Sequence, residues 1–311
     1  MLRIESAHKV DRLARENVPA ARCKSGDKVA FVTEDCYDGA VSDSGERSYD
    51  ERMENPATGP LFVEGVMPGD ALKVEILSIK TRPWGAMGTY FGHGAFRKYT
   101  GAYEMRALTF DGEFVALAGH RLRLEPMIGV IGVAPMGEAV PTVTPGPHGG
   151  NMDCSRIVAG STIFFPAACE GALLAMGDLH ALMGDGEVFG YGLEVSGEVE
   201  VRVSAVPGMT LAQPLLLEGG RAMVIASAKT LDEATDLAVQ TLYELLLSRG
   251  VDRVEAGLLL SLKCDVAVCQ IVDPLVTVRA MLPQEFLIID NRPPLTTPQK
   301  KRHGQLNSKD E

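Results

Sequence analysis

Residues 194–203 read Glu-Val-Ser-Gly-Glu-Val-Glu-Val-Arg-Val. Val199, Val201 and Val203 alternate with Glu198, Glu200 and Arg202. Side chains alternate across a strand, so this spacing makes one apolar and one charged face. Ser196-Gly197 supplies turn residues, which predicts a hairpin with a strand-like run over 187–195 ahead of it. The same pattern recurs upstream. Ser25-Gly26-Asp27 opens a run in which Val29, Phe31 and Thr33 face away from Lys28, Ala30, Val32 and Glu34. Pro68-Gly69-Asp70 opens another, with Leu72, Val74 and Ile76 against Lys73 and Glu75. These two segments read as one structural device used twice. Further strands are expected at 268–272 and at Val276 and Val278, on either side of Asp273-Pro274.

One helix is predicted over 231–249. Thr230 and Glu233 have the spacing of a capping box, and Leu231, Ala234, Ala238, Leu242 and Leu245 recur at helical spacing. Arg249 suits the last turn, and Gly250 ends it. A shorter helical turn is expected at 179–183. The sum is a mainly β, α+β chain rather than an alternating βαβ one. Residues 1–292 form the folded region, and 293–311 read as a flexible polar tail.

The chain has 311 residues, enough for about two domains or one large β-rich domain. Hydrophobic residues make up 46% and charged residues 23%, which excludes an intrinsically disordered chain. The net charge of -11 argues against nucleic acid, whose phosphates need clustered Lys and Arg. No apolar stretch approaches the ~20 residues that span a bilayer, so no membrane contact is expected. The charged start, Met1-Leu2-Arg3-Ile4-Glu5, lacks the apolar core of a signal peptide, so a cytoplasmic protein is expected. The 6 cysteines form no Cys-x-x-Cys pair and are expected as reduced thiols, mostly small buried hydrophobes.

Phosphate loops, nucleophile elbows and His-Glu-x-x-His are absent from the sequence. Three polar clusters remain. In Glu34-Asp35-Cys36-Tyr37-Asp38-Gly39, Asp38-Gly39 reads as a turn, while Asp35 is balanced between a turn and a site role. In Pro147-His148-Gly149-Gly150-Asn151-Met152-Asp153-Cys154, paired glycines let the backbone approach a ligand, and His, Asn and Asp supply chemistry. The third, from Gly177-Asp178-Leu179-His180 to Gly184-Asp185-Gly186-Glu187, joins an imidazole to carboxylates. That donor set suits a catalytic zinc with a position open to water. The plainer reading makes His180 a hydrogen-bonded core residue; three polar groups framed by glycines tilt the balance toward function. Asp178 and His180 also suit an orienting carboxylate–imidazole pair. His93 is a further candidate or a pocket-lining residue. Cys154 beside Asp153 raises a cysteine-nucleophile reading, with His148 as its base.

At these residues the sequence resembles the acetamidase/formamidase family. The matching stretches include Ser25-Gly26-Asp27 through Asp35-Cys36, Asn55-Pro56-Ala57-Thr58-Gly59-Pro60 and Gly129-Val130-Ile131-Gly132. They continue with Gly149-Gly150-Asn151-Met152-Asp153, Gly177-Asp178-Leu179-His180, Gly184-Asp185-Gly186-Glu187 and Gln270-Ile271-Val272-Asp273-Pro274. The resemblance implies a β-sandwich-like fold with a smaller α+β part and a homodimer. It also implies hydrolysis of short aliphatic amides to carboxylate and ammonia.

Read together with the clusters, this suggests a divalent metal, zinc with calcium as the alternative, held by Asp35, His180 and Glu187. Asp178 or Asp153 would orient it or add a ligand. Glu187 or Asp153, where free of metal, would carry the proton to the leaving nitrogen. Asn151 and the backbone at Gly149 and Gly150 would steady the oxyanion, with His148 beside the substrate. Met136, Ile131 and Phe165 are expected to line the acyl pocket. No organic cofactor is expected. Two other classes stay open: a metal-independent amidase using Cys154, and a non-enzymatic small-ligand or metal-binding protein on the same scaffold.

Overall fold

The structure, a computed structural model, describes residues 1–48, 52–92 and 94–287. The tail 293–311 and His93 lie outside these residues. Val199, Val201 and Val203 are fully buried in strand Gly197–Val206. That strand pairs antiparallel with Lys28–Thr33 on one side and Ala71–Thr81 on the other. Glu194–Val195 pairs with Leu174–His180 and Trp84–Gly88 in a different sheet. Ser196-Gly197 is therefore a crossing between sheets and not the expected hairpin turn. Alternation fixes which face is apolar but not which neighbour a strand takes. Local hydrogen bonds hold the crossing: Asp35 N–H donates to Ser196 Oγ at 3.2 Å, and Arg82 N–H to the Ser196 carbonyl at 3.0 Å. Residues 187–193 are turns and loop, not strand.

The paired Gly-Asp device is real. Asp27 Oδ2 accepts from Lys24 N–H at 2.8 Å, and Asp70 Oδ2 accepts from Met67 N–H at 3.1 Å. In both, the Asp N–H returns a bond to the carbonyl three residues earlier, at 3.1 and 3.0 Å. Each turn launches a strand, Lys28–Thr33 and Ala71–Thr81.

Two large sheets result, of 9 and 11 strands. The first is antiparallel except where Leu2–Ile4 runs parallel to Lys28–Thr33. In the second, Leu174–His180 is central, bonded to Met127–Gly132, Glu194–Val195 and Ala57–Glu64. Val29, Phe31, Leu72 and Val74 of one sheet share a buried cluster with Leu61, Ile128, Met176 and Leu179 of the other. Such packing of inner faces defines a sandwich core, and burying each large side chain contributes about 1.5–3 kcal/mol.

Helix Leu231–Ser248 packs on the far end of the nine-stranded sheet. Its Ala238, Leu242 and Leu246 meet Leu215, Val224 and Leu282. Thr230 caps it, accepting from Glu233 N–H at 3.2 Å, while Leu231 stays exposed. A second helix, Arg253–Lys263, was not expected. Its Val254, Leu258 and Leu262 are exposed, so its apolar residues do not mark one buried face. The turn expected at 179–183 gives way to the end of strand Leu174–His180, because pairing with Met127–Gly132 continues through His180.

Candidate active site

Leu174–His180 carries two polar side chains to its C-terminal end, Asp178 and His180, both buried. Opposite them, Met127–Gly132 pairs with Gly149–Asn151 and so delivers Asp153 just past that strand's end. Glu194 pairs directly with His180 across the sheet. Glu187 arrives on a turn tied down at Gly186, whose N–H donates to the Cys269 carbonyl at 2.8 Å. Asp273 arrives on the turn after Asp265–Gln270; the Gln270 side-chain oxygen accepts from Val272 N–H at 2.8 Å and Asp273 N–H at 3.0 Å. Asn55 donates to Asp178 Oδ2 at 3.2 Å, and Asn151 donates to Asp273 Oδ2 at 3.0 Å.

The result is an imidazole surrounded by acids. His180 Nε2 lies 3.3 Å from Glu194, 3.5 Å from Asp178 and 3.8 Å from Asp153. Among the described residues, two sets of three groups bring their ligand atoms within 4.8 Å of one another: Asp153, His180 and Glu187, and Cys36, Asp178 and Glu194. Neither Asp153 oxygen is reached by an N–H or hydroxyl donor, nor are Asp178 Oδ1, Glu194 Oε2 or His180 Nδ1. Buried polar atoms are normally satisfied, and several orphaned carboxylate oxygens facing one another point to a missing cation.

The backbone is shaped to allow the convergence. Asn55, Asp153, Asp178 and Glu187 all have φ between 41° and 54°. This left-handed region is costly for side-chain-bearing residues, and such strain gathers at functional sites. Gly129 makes the room. A Cβ there would stand 2.5 Å from Asp153 Oδ1 and 2.6 Å from Asp178 Oδ2. On His180's other side, a Cβ at Gly192 would stand 2.4 Å from Nδ1.

Charge is strained as well. Burial, then the neighbouring Asp178, pushes Asp153 up to about 6. Burial and Asp178 push Glu194 up to about 8, against the pull of His180. Burial and Asp153 raise Glu187, and Asp273 likewise, well above the carboxylate range. Burial opposes the Asp178 charge too, yet His180 and the bond from Asn55 hold it below its ordinary value. Burial also opposes charge on His180, but Glu194 and Asp178 raise it well above an ordinary imidazole.

Of the residues the sequence singles out, Asp153, Asp178, His180 and Glu187 come together, and Asn151 borders them. Asp35 does not join the cluster. Its Oδ1 accepts from Tyr37 and Gly39 N–H, and its Oδ2 pairs with Arg82 at 2.5 Å. The neighbouring Cys36 reaches the acids instead. Gly149 and Gly150 pack inside the sheet: a Cβ on Gly149 would fall 2.2 Å from the Ile131 carbonyl, and the Gly149 N–H already donates to Gly146. His148 lines a separate cavity, where burial lowers it to about 4. Ile131 and Phe165 lie in the core, and Met136 borders that same separate cavity, so none lines the acid cluster. Cys154 is fully buried beside Cys269 and away from the cavity wall. Glu194, Asp273, Cys36 and Asn55 escaped the sequence reading. Cys36 stands in the first quoted cluster and Glu194 in the opening stretch, and Asn55 and Asp273 in the motifs Asn55-Pro56 and Asp273-Pro274, but none was assigned a role.

The acids open into a cavity of about 420 Å³. Asn55, Asn151, Asp178, Glu187, Glu194 and Asp273 all border it. Among the described residues, no helix is long and apolar enough to cross a membrane.

Known proteins share this architecture. The crystal structure of an acetamidase from Bacillus halodurans is 40% identical, covers 92% of this chain and 98% of its own, and superposes with a TM-score of 0.88. That of a predicted acetamidase/formamidase from Thermoanaerobacter tengcongensis is 38% identical, with coverage of 92% and 96% and a TM-score of 0.89. An acetamidase of Mycolicibacterium smegmatis is 27% identical over 258 residues, 61% of this chain but only 64% of that protein. The pattern of the Acetamidase/Formamidase family matches residues 5–141 and 136–289, nearly all of the described chain. The chain therefore belongs to the acetamidase/formamidase family.

Proposed function

We propose that this chain hydrolyses carboxamides of the formamide and acetamide type, giving a carboxylate and ammonia. The observation that carries the reading is the cluster of buried, unpartnered carboxylate oxygens around His180, set in the acetamidase/formamidase scaffold. Asp153, His180 and Glu187 would hold a divalent cation, with Cys36, Asp178 and Glu194 as a second donor set beside them. Mixed nitrogen, oxygen and sulfur donors suit zinc better than calcium, which prefers oxygen alone. A divalent cation supplies Lewis acidity there, making water acidic near neutrality and drawing charge from a carbonyl oxygen.

The remaining tasks fall to the chain itself. Asp153, Glu187 and Glu194 belong to the proposed donor sets, so the proton carrier is Asp273, which borders the cavity and stands in neither set. It takes the proton from the attacking water and returns it to the amide nitrogen, which departs only when protonated. The Asn151 amide, fixed by its bond to Asp273, faces the same cavity and supplies a neutral donor for the substrate oxygen. Asn55 holds Asp178 in its strained conformation.

The test is ammonia release from formamide and acetamide before and after exhaustive chelation. Activity should vanish with the cation and return when zinc is restored. Full activity after verified metal removal would eliminate the cation from the reading. Ammonia release from neither amide in the metal-loaded protein would eliminate formamide and acetamide as its substrates.

A further inference from the structure

Acetamide is a handful of heavy atoms, and the cavity is far larger. At about 30 Å³ per water, its 420 Å³ would take about fourteen water molecules. Its lining is also of two kinds. Besides the acids, the wall carries Tyr37, Tyr90 and Tyr191. These rings form a continuous surface: Tyr37 and Tyr191 have centroids 5.6 Å apart and Tyr90 and Tyr191 5.7 Å, tilted by 39° and 43°.

The surface is built into place. Gly190, which borders the cavity, has φ +92°, and a Cβ there would stand 2.4 Å from Tyr90 Cδ1, so the ring lies directly on its backbone. The Tyr37 hydroxyl accepts the Gly88 N–H at 3.1 Å, which fixes that ring. Arg47 lies 5.4 Å above the Tyr37 ring and donates to the Tyr103 hydroxyl at 3.0 Å, adding a planar cation to the rim. Fixed aromatic faces recognise flat apolar groups by offset or edge contact.

Building on amide hydrolysis at the acid cluster, we infer that the preferred substrate is a primary amide whose acyl group carries an aromatic ring. Benzamide and phenylacetamide represent the class. The amide meets the carboxylates that border the cavity while the ring lies on the Tyr37–Tyr191–Tyr90 surface. The bond broken is still the C–N bond, and ammonia still leaves; only the acyl substituent changes.

The experiment compares kcat/KM for acetamide, benzamide and phenylacetamide in the metal-loaded protein. An aromatic amide should exceed acetamide by at least about tenfold, an advantage of the size that ring contact and burial provide. Tyr191→Ala should erase most of that advantage, and Tyr90→Leu should shrink it if the first variant folds poorly. Benzoate should inhibit acetamide hydrolysis at least about tenfold more tightly than acetate, again depending on Tyr191. Aromatic amides turned over no faster than acetamide would overturn the inference and leave the amidase standing. An aromatic preference that persists in both tyrosine variants would overturn the placement of the ring. No ammonia from any amide would overturn both.

Discussion

Two hollows among the described residues differ in character. The larger, of about 720 Å³, is bordered by the proline-rich stretch Pro135–Pro147, with His148, Thr210 and Leu275. The smaller, of about 420 Å³, holds the acid cluster. They are near neighbours: Val143 and Pro274 border one, while Thr144 and Leu275 border the other. Size would favour the first, yet the second is bordered by Asp178 and Glu194, which carry orphaned carboxylate oxygens, and by Asn55, Asp178 and Glu187, whose backbone is strained. Polar atoms forced together without partners locate chemistry better than volume does. A large hollow costs little if its walls are apolar, whereas facing carboxylates must be answered by a counter-charge.

Substitution can break that contrast. His180→Ala should lower kcat/KM for acetamide by about a thousandfold or more and abolish tight zinc binding. His148→Gln, in the larger hollow, should change the same quantity by less than about fivefold. Equal losses would mean that both hollows serve one reaction. Gly129→Ala sharpens the contrast next. Its Cβ would meet both Asp153 and Asp178, so about a hundredfold loss of activity should accompany weaker zinc retention on a gel-filtration column, while far-UV circular dichroism stays native.

Titration is the third route. Glu194 is raised to about 8 and Asp153 to about 6, and His180 is raised as well. In the folded, metal-free protein these groups hold protons that the unfolded chain releases earlier. Their stabilising contribution is complete below about pH 4 and is lost as pH climbs toward 8. The melting temperature of metal-free protein should therefore fall across that window. Zinc should offset the fall, since deprotonated groups are its ligands. Glu194→Gln should flatten the metal-free slope, and an unchanged slope in that variant would place the titration elsewhere.

A small effect on activity is expected from Arg82→Met. It leaves Asp35 buried without its cation, at a cost of about 3 kcal/mol in denaturant unfolding. Activity should fall less than about tenfold, because Asp35 acts on the turn that carries Cys36 and Tyr37 and not on the acids.

The sequence exposed what is local. The Gly-Asp turns before Lys28–Thr33 and Ala71–Thr81 declare themselves through adjacent residues, and so does the cap at Thr230. Asp153, Asp178, His180 and Glu187 stood out because glycines frame them. Glu194 did not, because a glutamate in an alternating run looks like an outward charge. It points inward because the chain changes sheets two residues later, and only the neighbouring strand reveals that. Asp35 drew the attention due to Cys36 for a related reason. Either residue could end a strand toward the acids, and the choice rests with Arg82, 47 positions away.

Two side-chain amides close the acid cluster. Asn55 clasps Asp178 across 123 positions of chain, and Asn151 clasps Asp273 across 122. Contacts of such sequence separation form late, after their loops have closed. A nascent chain emerging from the ribosome has no complete pocket until Asp273 is out and its hairpin has docked. The acids of both donor sets are all out by Glu194, so the wall that Asn151 and Asp273 share is the last part of the pocket to close.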